Sequence, residues 1–206
     1  MTWTSQFLTK CFTAFNGLRI VWSGICIIKM IEQCQCCGTE FRRYNGTFKS
    51  GPNYILSHDN RTVTQCSDGW NTVAIGNEPI PLGTITIIKF KIEKTIYSHI
   101  MFGIAPLSID QKLVTGYSKC GWYYYSHNGG LYCQPQLSYS NFKFRDDSQL
   151  PEGTIITMIV DTTIGKISFK INDSLIKTAY QVTFPESIAP CIMLYNKGDS
   201  VRMLQN

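Results

Sequence analysis

Residues 151–172 read PEGTIITMIVDTTIGKISFKIN, and two apolar rhythms in this stretch decide the class of the chain. In Lys166–Ile171, Ile167, Phe169 and Ile171 fall on one side while Lys166, Ser168 and Lys170 fall on the other. A pleated strand with one wet face needs that period of two. Ile155–Val160 is apolar almost throughout, as expected of a central strand covered on both sides. Asp161-Thr162-Thr163-Ile164-Gly165 joins the two, a short turn ending in a glycine that can take positive φ. The stretch predicts an antiparallel hairpin.

Working outward, short apolar runs alternate with turn residues from Asn45 to the end at intervals of about eight to twelve positions, the rhythm of a sandwich or barrel. Thr84–Ile92 carries Ile85 and Ile87 in one phase and Ile88, Phe90 and Ile92 in the other, which predicts a β-bulge or burial on both faces. No long amphipathic helix and no βαβ unit follows residue 45, which excludes a parallel α/β fold. The predicted fold is all-β, an antiparallel two-sheet sandwich of jelly-roll, concanavalin-like type over residues 46–206, with a short N-terminal extension over residues 1–45.

In that extension Ile20–Ile31 is the most apolar stretch, but Lys29 interrupts it and it falls short of the roughly 20 apolar residues that span a bilayer. Leu18, Val21, Trp22, Ile25 and Ile28 follow three-and-four spacing, as on one face of a short helix; the segment is expected as a helix or strand docked on the sandwich, with a membrane-directed segment and a poorly ordered extension as the competing readings. Cys34 and Cys37 have the two-residue gap of a zinc knuckle, with Cys36 between them. Tetrahedral zinc normally needs a second pair, and the next candidates, His58 and Cys66, lie in what reads as the first strands, so no metal or other cofactor is expected. Nine unevenly spread cysteines fit free thiols in a reducing, cytoplasmic setting better than a secreted disulfide framework. The net charge of +5 is scattered, with Arg42-Arg43 the densest pairing, and gives no basic stripe for nucleic acid.

The order of the pieces over about residues 50–204 resembles the SPRY (B30.2-like) family. Tyr54-Ile55-Leu56-Ser57 and Asn60-Arg61-Thr62-Val63 open it. Phe102-Gly103-Ile104-Ala105 is similar to the family's Val-Gly-Ile-Ala strand, and Gly121-Trp122-Tyr123-Tyr124-Tyr125 with Asn128-Gly129-Gly130 to its aromatic strand and turn. Pro151–Asp161, Gly165–Asn172, Ala179-Tyr180 and Ile188–Ile192 complete the series. Thr154 stands where the family usually has Asp, Asp173 where it usually has Gly, and the strand at Thr84 lacks a common Trp. These departures mark a divergent member.

The resemblance implies a non-catalytic module whose end loops form a shallow aromatic cleft for a short peptide or loop of a partner protein. It is consistent with a substrate-recruiting part of a ubiquitin-ligase or signalling assembly. The implied partner-binding residues are Arg61, Tyr117 and Tyr195, with Val63 lining the floor. An exposed strand arginine explains Arg61 equally well. Trp122 and Tyr124 are read as core, and Trp70 as a loop or core residue without a role. His58, His99 and His127 fall in unrelated contexts, none in a nucleophile-elbow or Cys/His protease pattern, so no catalytic site is expected. The alternative is a lectin-like sandwich for carbohydrate or another small ligand, for which Asn141 and Asp146-Asp147 make a sparse calcium site.

Overall fold

The computed structural model describes residues 39–57, 59–111, 121–133, 149–184 and 187–205. The Cys34–Cys37 motif, the apolar run at 20–31, His58, Tyr117, Asn141 and Asp146-Asp147 therefore lie outside the described residues.

The described chain forms thirteen strands: β1 (Glu40–Arg43), β2 (Tyr54–Leu56), β3 (Thr62–Gln65), β4 (Ala74–Ile75), β5 (Thr84–Lys94), β6 (Ile100–Pro106), β7 (Trp122–Tyr125), β8 (Leu131–Cys133), β9 (Ile155–Asp161), β10 (Lys166–Ile171), β11 (Lys177–Gln181), β12 (Ile188–Leu194) and β13 (Ser200–Met203). The larger sheet has the order β11-β10-β9-β5-β13-β3-β2, with β1 also on β5; the smaller has the order β4-β12-β6-β7-β8. Every pairing is antiparallel except β1 on β5, which is parallel from Glu40↔Thr84 to Arg43↔Ile87. The two sheets make the expected sandwich, and it takes in residues ahead of position 46: β1 belongs to the large sheet, and Tyr44 is part of the core.

The hairpin that opened the sequence reading is present, with Lys166↔Asp161 through Ile171↔Ile156 in unbroken register. Gly165 turns the chain at φ 68°, where a Cβ would lie 1.7 Å from the Val182 carbonyl oxygen. Its neighbour β9 is central, yet only Ile156, Met158 and Val160 are fully buried; Ile155, Thr157 and Ile159 on the other face are half-covered. In β5 the phase change dissolves. Thr84 and Thr86 occupy the two inward positions ahead of Ile88, Phe90 and Ile92, their hydroxyls 3.1 Å apart, so burial alternates strictly and the pairing with β9 is regular. Ile85 and Ile87 face outward and are half-buried. The irregularity in β5 comes one residue later, at Glu93, where the register against β13 jumps from Val201↔Ile92 to Ser200↔Lys94.

The inward faces meet in one core that includes Phe90, Phe102, Tyr124, Met158, Phe169, Ile192 and Met203. The small sheet is covered on its outer face as well: Val73, Ile75, Met101, Ala105, Tyr123, Ala189, Cys191 and Met193 form a second buried cluster, with Trp70, Tyr125 and Tyr132 at its rim. This is why Tyr123 and Tyr124, consecutive and therefore on opposite faces, are both buried. Gly103 lets β6 and β7 approach closely, since a Cβ there would sit 2.1 Å from the Trp122 carbonyl oxygen.

Candidate functional site

Strands β3, β5, β7 and β12 finish, and β6, β8 and β13 begin, at one end of the sandwich. Four connections therefore meet there. The chain leaving β3 is folded back by Gly69, whose N–H donates to the Tyr195 carbonyl at 2.7 Å, and this sets Trp70 against Tyr195 with ring centroids 5.3 Å apart. Asp68 accepts from the Lys197 N–H at 2.8 Å, tying the same segment to the β12–β13 loop. The β5–β6 loop turns through Ser98 at φ 56°. Ser98 and Ser126 are both buried with their hydroxyls 3.1 Å apart, and this polar joint brings the β7–β8 turn against the β5–β6 loop. His99 and His127 consequently stack at 4.3 Å.

The product is a continuous aromatic band. Tyr97 touches His99, His99 touches His127, Tyr125 and Tyr195, and Trp70 bridges Tyr125 and Tyr195, with centroid separations of 4.3–6.0 Å. The Tyr125 hydroxyl is hydrogen-bonded to Nδ1 of His99. His127 uses Nδ1–H to donate to the Tyr97 carbonyl at 2.9 Å, since a carbonyl can only accept. Tyr97 is 55% exposed, its neighbour Ile96 57% and Tyr195 37%, so the band presents open apolar area.

Asp199 holds these loops together. It is fully buried and its carboxylate accepts from the Ile96 N–H at 2.9 Å and from the Asn196 side-chain amide at 3.0 Å. Its own carbonyl accepts from the Gln65 N–H at 2.9 Å. Burial pushes the Asp199 carboxyl above its ordinary value, and those donors pull it partly back. Burial and the neighbouring His127 hold His99 below the ordinary histidine range, against the pull of Asp199. The Asp199 oxygens are spent on these donors, and among the described residues no His, Cys, Asp or Glu trio converges on a point a metal could occupy.

The residues that the sequence singled out do not come together. Tyr195 stands in the band. Val63 does not line a floor: it is 1% exposed, inside the main core, because an inward position of a strand flanked by β2 and β13 faces the opposite sheet. Arg61 lies at the other end of β3, about 15 Å of strand from the Trp70 turn. It is only 8% exposed, and its Nη2 donates to the Asn45 carbonyl at 2.6 Å. It neither extends as an exposed strand arginine nor meets Tyr195. Tyr124 is core as expected, whereas Trp122 is half-buried against Phe184. His99 and His127, read as unrelated, are neighbours, and Trp70 has the place that the sequence did not assign. Strand-end positions were the available signal: each of these residues flanks an apolar run on the side that the hairpin order brings to one end.

The family model described as SPRY domain matches residues 88–205. The chain belongs to the SPRY family. No curated protein matches it. Among solved structures, the SPRY domain of human HERC1 is similar at 20% identity over 74% of this chain and 92% of that one, with a TM-score of 0.60. The PSpry domain of TRIM65 is similar at 12% identity over 88% and 99%, with a TM-score of 0.59. A further human SPRY domain is similar at 17% identity over 75% and 96%, with a TM-score of 0.53. At these identities the likeness is one of fold. SPRY domains generally serve as protein-interaction modules and are typically non-catalytic.

Proposed function

We propose that this SPRY domain holds a short peptide or loop of a partner protein on the aromatic end formed by Trp70, Tyr97, His99, His127 and Tyr195, and that it does so as the substrate-recruiting part of a ubiquitin-ligase or signalling assembly. The observation that carries the reading is the assembly of the band from four separate connections, each pinned to rigid strands. Loops positioned by a fixed scaffold are the usual carriers of recognition, and Tyr and Trp supply large contact area at little entropic cost. Arg61 and Val63 enter as supports of the scaffold, and Tyr195 as a contact residue.

Proximity labelling in cells with the wild-type chain, a Tyr97→Ala/Tyr195→Ala variant and an Arg61→Ala variant tests it. The expected result is a set of neighbours lost in the tyrosine variant and kept in the arginine variant, with ligase subunits in the kept set. Identical neighbours in all three would sink the aromatic end as the contact surface. The same aromatic faces suit a sugar ring, so retention on a glycan array that disappears in the tyrosine variant would replace the peptide with a carbohydrate.

A further inference from the structure

Asparagine followed by glycine is the dipeptide in which the next backbone nitrogen most readily attacks the side-chain carbonyl, because glycine has no Cβ to block the approach. The chain has three such pairs, Asn16-Gly17, Asn45-Gly46 and Asn128-Gly129, and the first lies outside the described residues. The other two are held in opposite ways. In the β7–β8 turn the Asn128 side-chain oxygen accepts from the Gly130 N–H at 2.9 Å, and the Gly129 N–H donates to the Tyr125 carbonyl at 2.9 Å. Nucleophile and target are both engaged there. Asn45 is exposed, its carboxamide has no hydrogen bond among the described residues, and neither has the Gly46 N–H, so no bond must break before they react. Packing requires the glycine, since a Cβ at position 46 would lie 2.6 Å from the Tyr44 ring. Arg61 adds the deciding contact: its Nη2 donates to the Asn45 backbone carbonyl at 2.6 Å. That carbonyl is conjugated with the Gly46 nitrogen, so a cation on it eases loss of the N–H proton.

We infer that Asn45-Gly46 is a site of self-modification, where Asn45 is converted to Asp and isoaspartate in the folded protein and Arg61 promotes the step. The Gly46 nitrogen gives its proton to solvent and bonds to Cγ of Asn45; the side-chain nitrogen takes a proton from solvent and leaves as ammonia. The cyclic imide that remains adds one water. Opening at Cγ gives Asp, and opening at the main-chain carbonyl gives isoaspartate, with the chain then running through Cβ and Cγ. No oxidant, reductant or enzyme enters. Both products place a carboxylate beside Arg61, whose Nη1 is buried without a partner. Isoaspartate also lengthens the main chain by one carbon just ahead of two bonds, from the Thr47 N–H to Oδ1 of Asn77 at 3.0 Å and from the Phe48 N–H to the Asn60 carbonyl at 2.8 Å. The modification therefore loosens the Arg61 end and leaves the aromatic end as it is, whatever that end binds.

The full 206-residue chain is incubated at neutral pH, native and in urea, and the peptide carrying each Asn-Gly pair is followed by mass spectrometry, with chromatography separating Asp from isoaspartate. Expected is conversion at Asn45 at least as fast in the native protein as in urea, with both products formed. Native Asn128 should be slowed about tenfold or more by its two hydrogen bonds. Arg61→Gln keeps an amide donor without the charge and should slow native Asn45 about fivefold. Slower conversion of Asn45 in the native protein than in urea overturns the proposal. Asp as the sole product does so too, since water attacking the side chain directly would bypass Gly46. An Arg61→Gln rate equal to wild type or above it overturns the part given to Arg61. If Asn128 loses its protection in that variant, the variant is unfolded, and Arg61→Lys, which keeps a cation, takes its place with a smaller slowing expected and the same result against it.

Discussion

The two ends of the sandwich are built from similar materials and put them to opposite use. At the Arg61 end, Tyr44 is buried with its hydroxyl donating to the Glu78 carbonyl at 2.9 Å, and Arg61 reaches inward to Asn45. Burial pushes the Tyr44 hydroxyl up to about 12. Phe48 donates its N–H to the Asn60 carbonyl and bridges to Gly76, so residues 44–48 stitch the two sheets together. At the Tyr195 end, aromatic rings pack on one another, but Tyr97 and Tyr195 stay open to solvent, and the buried polar groups, Asp199 and the Ser98–Ser126 pair among them, serve the loops. Aromatic and arginine side chains are therefore not markers of a binding site in themselves. What separates the ends is which side of the ring another part of the chain covers.

The contrast is most strongly tested at Tyr44. Tyr44→Ala should cost on the order of 3–5 kcal/mol of folding stability in urea titration, because it empties a buried aromatic site, while the Tyr195 end loses no contact. A loss below about 1 kcal/mol would mean the 44–48 stitch is not structural. Next, Asp199→Ala should cost about 2 kcal/mol, since Ile96 and Asn196 lose a charged acceptor. Amide exchange should rise at Ile96 and Asn196 while the β9–β10 hairpin stays protected; uniform exchange across both regions would show that Asp199 does not fasten the loops.

Smaller effects separate Arg61 from Tyr195. Arg61→Ala should lower stability by about 1–2 kcal/mol through the lost bond to Asn45 and leave partner binding intact. Tyr195→Ala should lower stability by less than about 1 kcal/mol and remove binding. An exchange of these two outcomes would restore the cleft the resemblance implied. The slightest effect is on pH. His99 is held below its ordinary 6.5, so the unfolded chain takes up this proton first. The stability it contributes is present above pH 6.5 and fades as pH falls below it. Asp199, raised above 3.8, works the other way: the fold holds its neutral form better than its ionised form, so its share of stability grows as pH falls toward the carboxylate range. Thermal melts should show the His99 loss in wild type and less of it in His99→Phe; equal curves would disprove the coupling.

The sequence made the strands legible wherever the pattern was local. Gly165 announced its own turn and Lys166–Ile171 its alternation, but the face expected to be wet is partly covered, with Ser168 buried between the half-exposed Lys166 and Lys170. The β5 reading failed because threonine is counted as polar; two threonines facing inward satisfy each other and so pass for core. Arg61 and Val63 were placed by analogy of position, and the analogy says nothing about which neighbour covers a side chain. The histidine pair was the least legible of all. His99 and His127 are 28 positions apart, and Trp70 and Tyr195 lie 125 apart, so only the strand order brings them together. No period within any one segment encodes that.

One strand sets a condition on how this domain is made. β5 gives one edge to β9, and its other edge is shared: β1 takes Thr84–Ile87 and β13 takes Phe90–Lys94. An emerging chain can lay β1 beside β5 early, but the second half of that edge stays open until residues 200–203 leave the ribosome. Completion of the large sheet is thus tied to β13. A nascent chain stalled before Ser200 would expose the apolar face around Phe90 and Ile92 together with unpaired backbone beside it, which is the form a chaperone would meet.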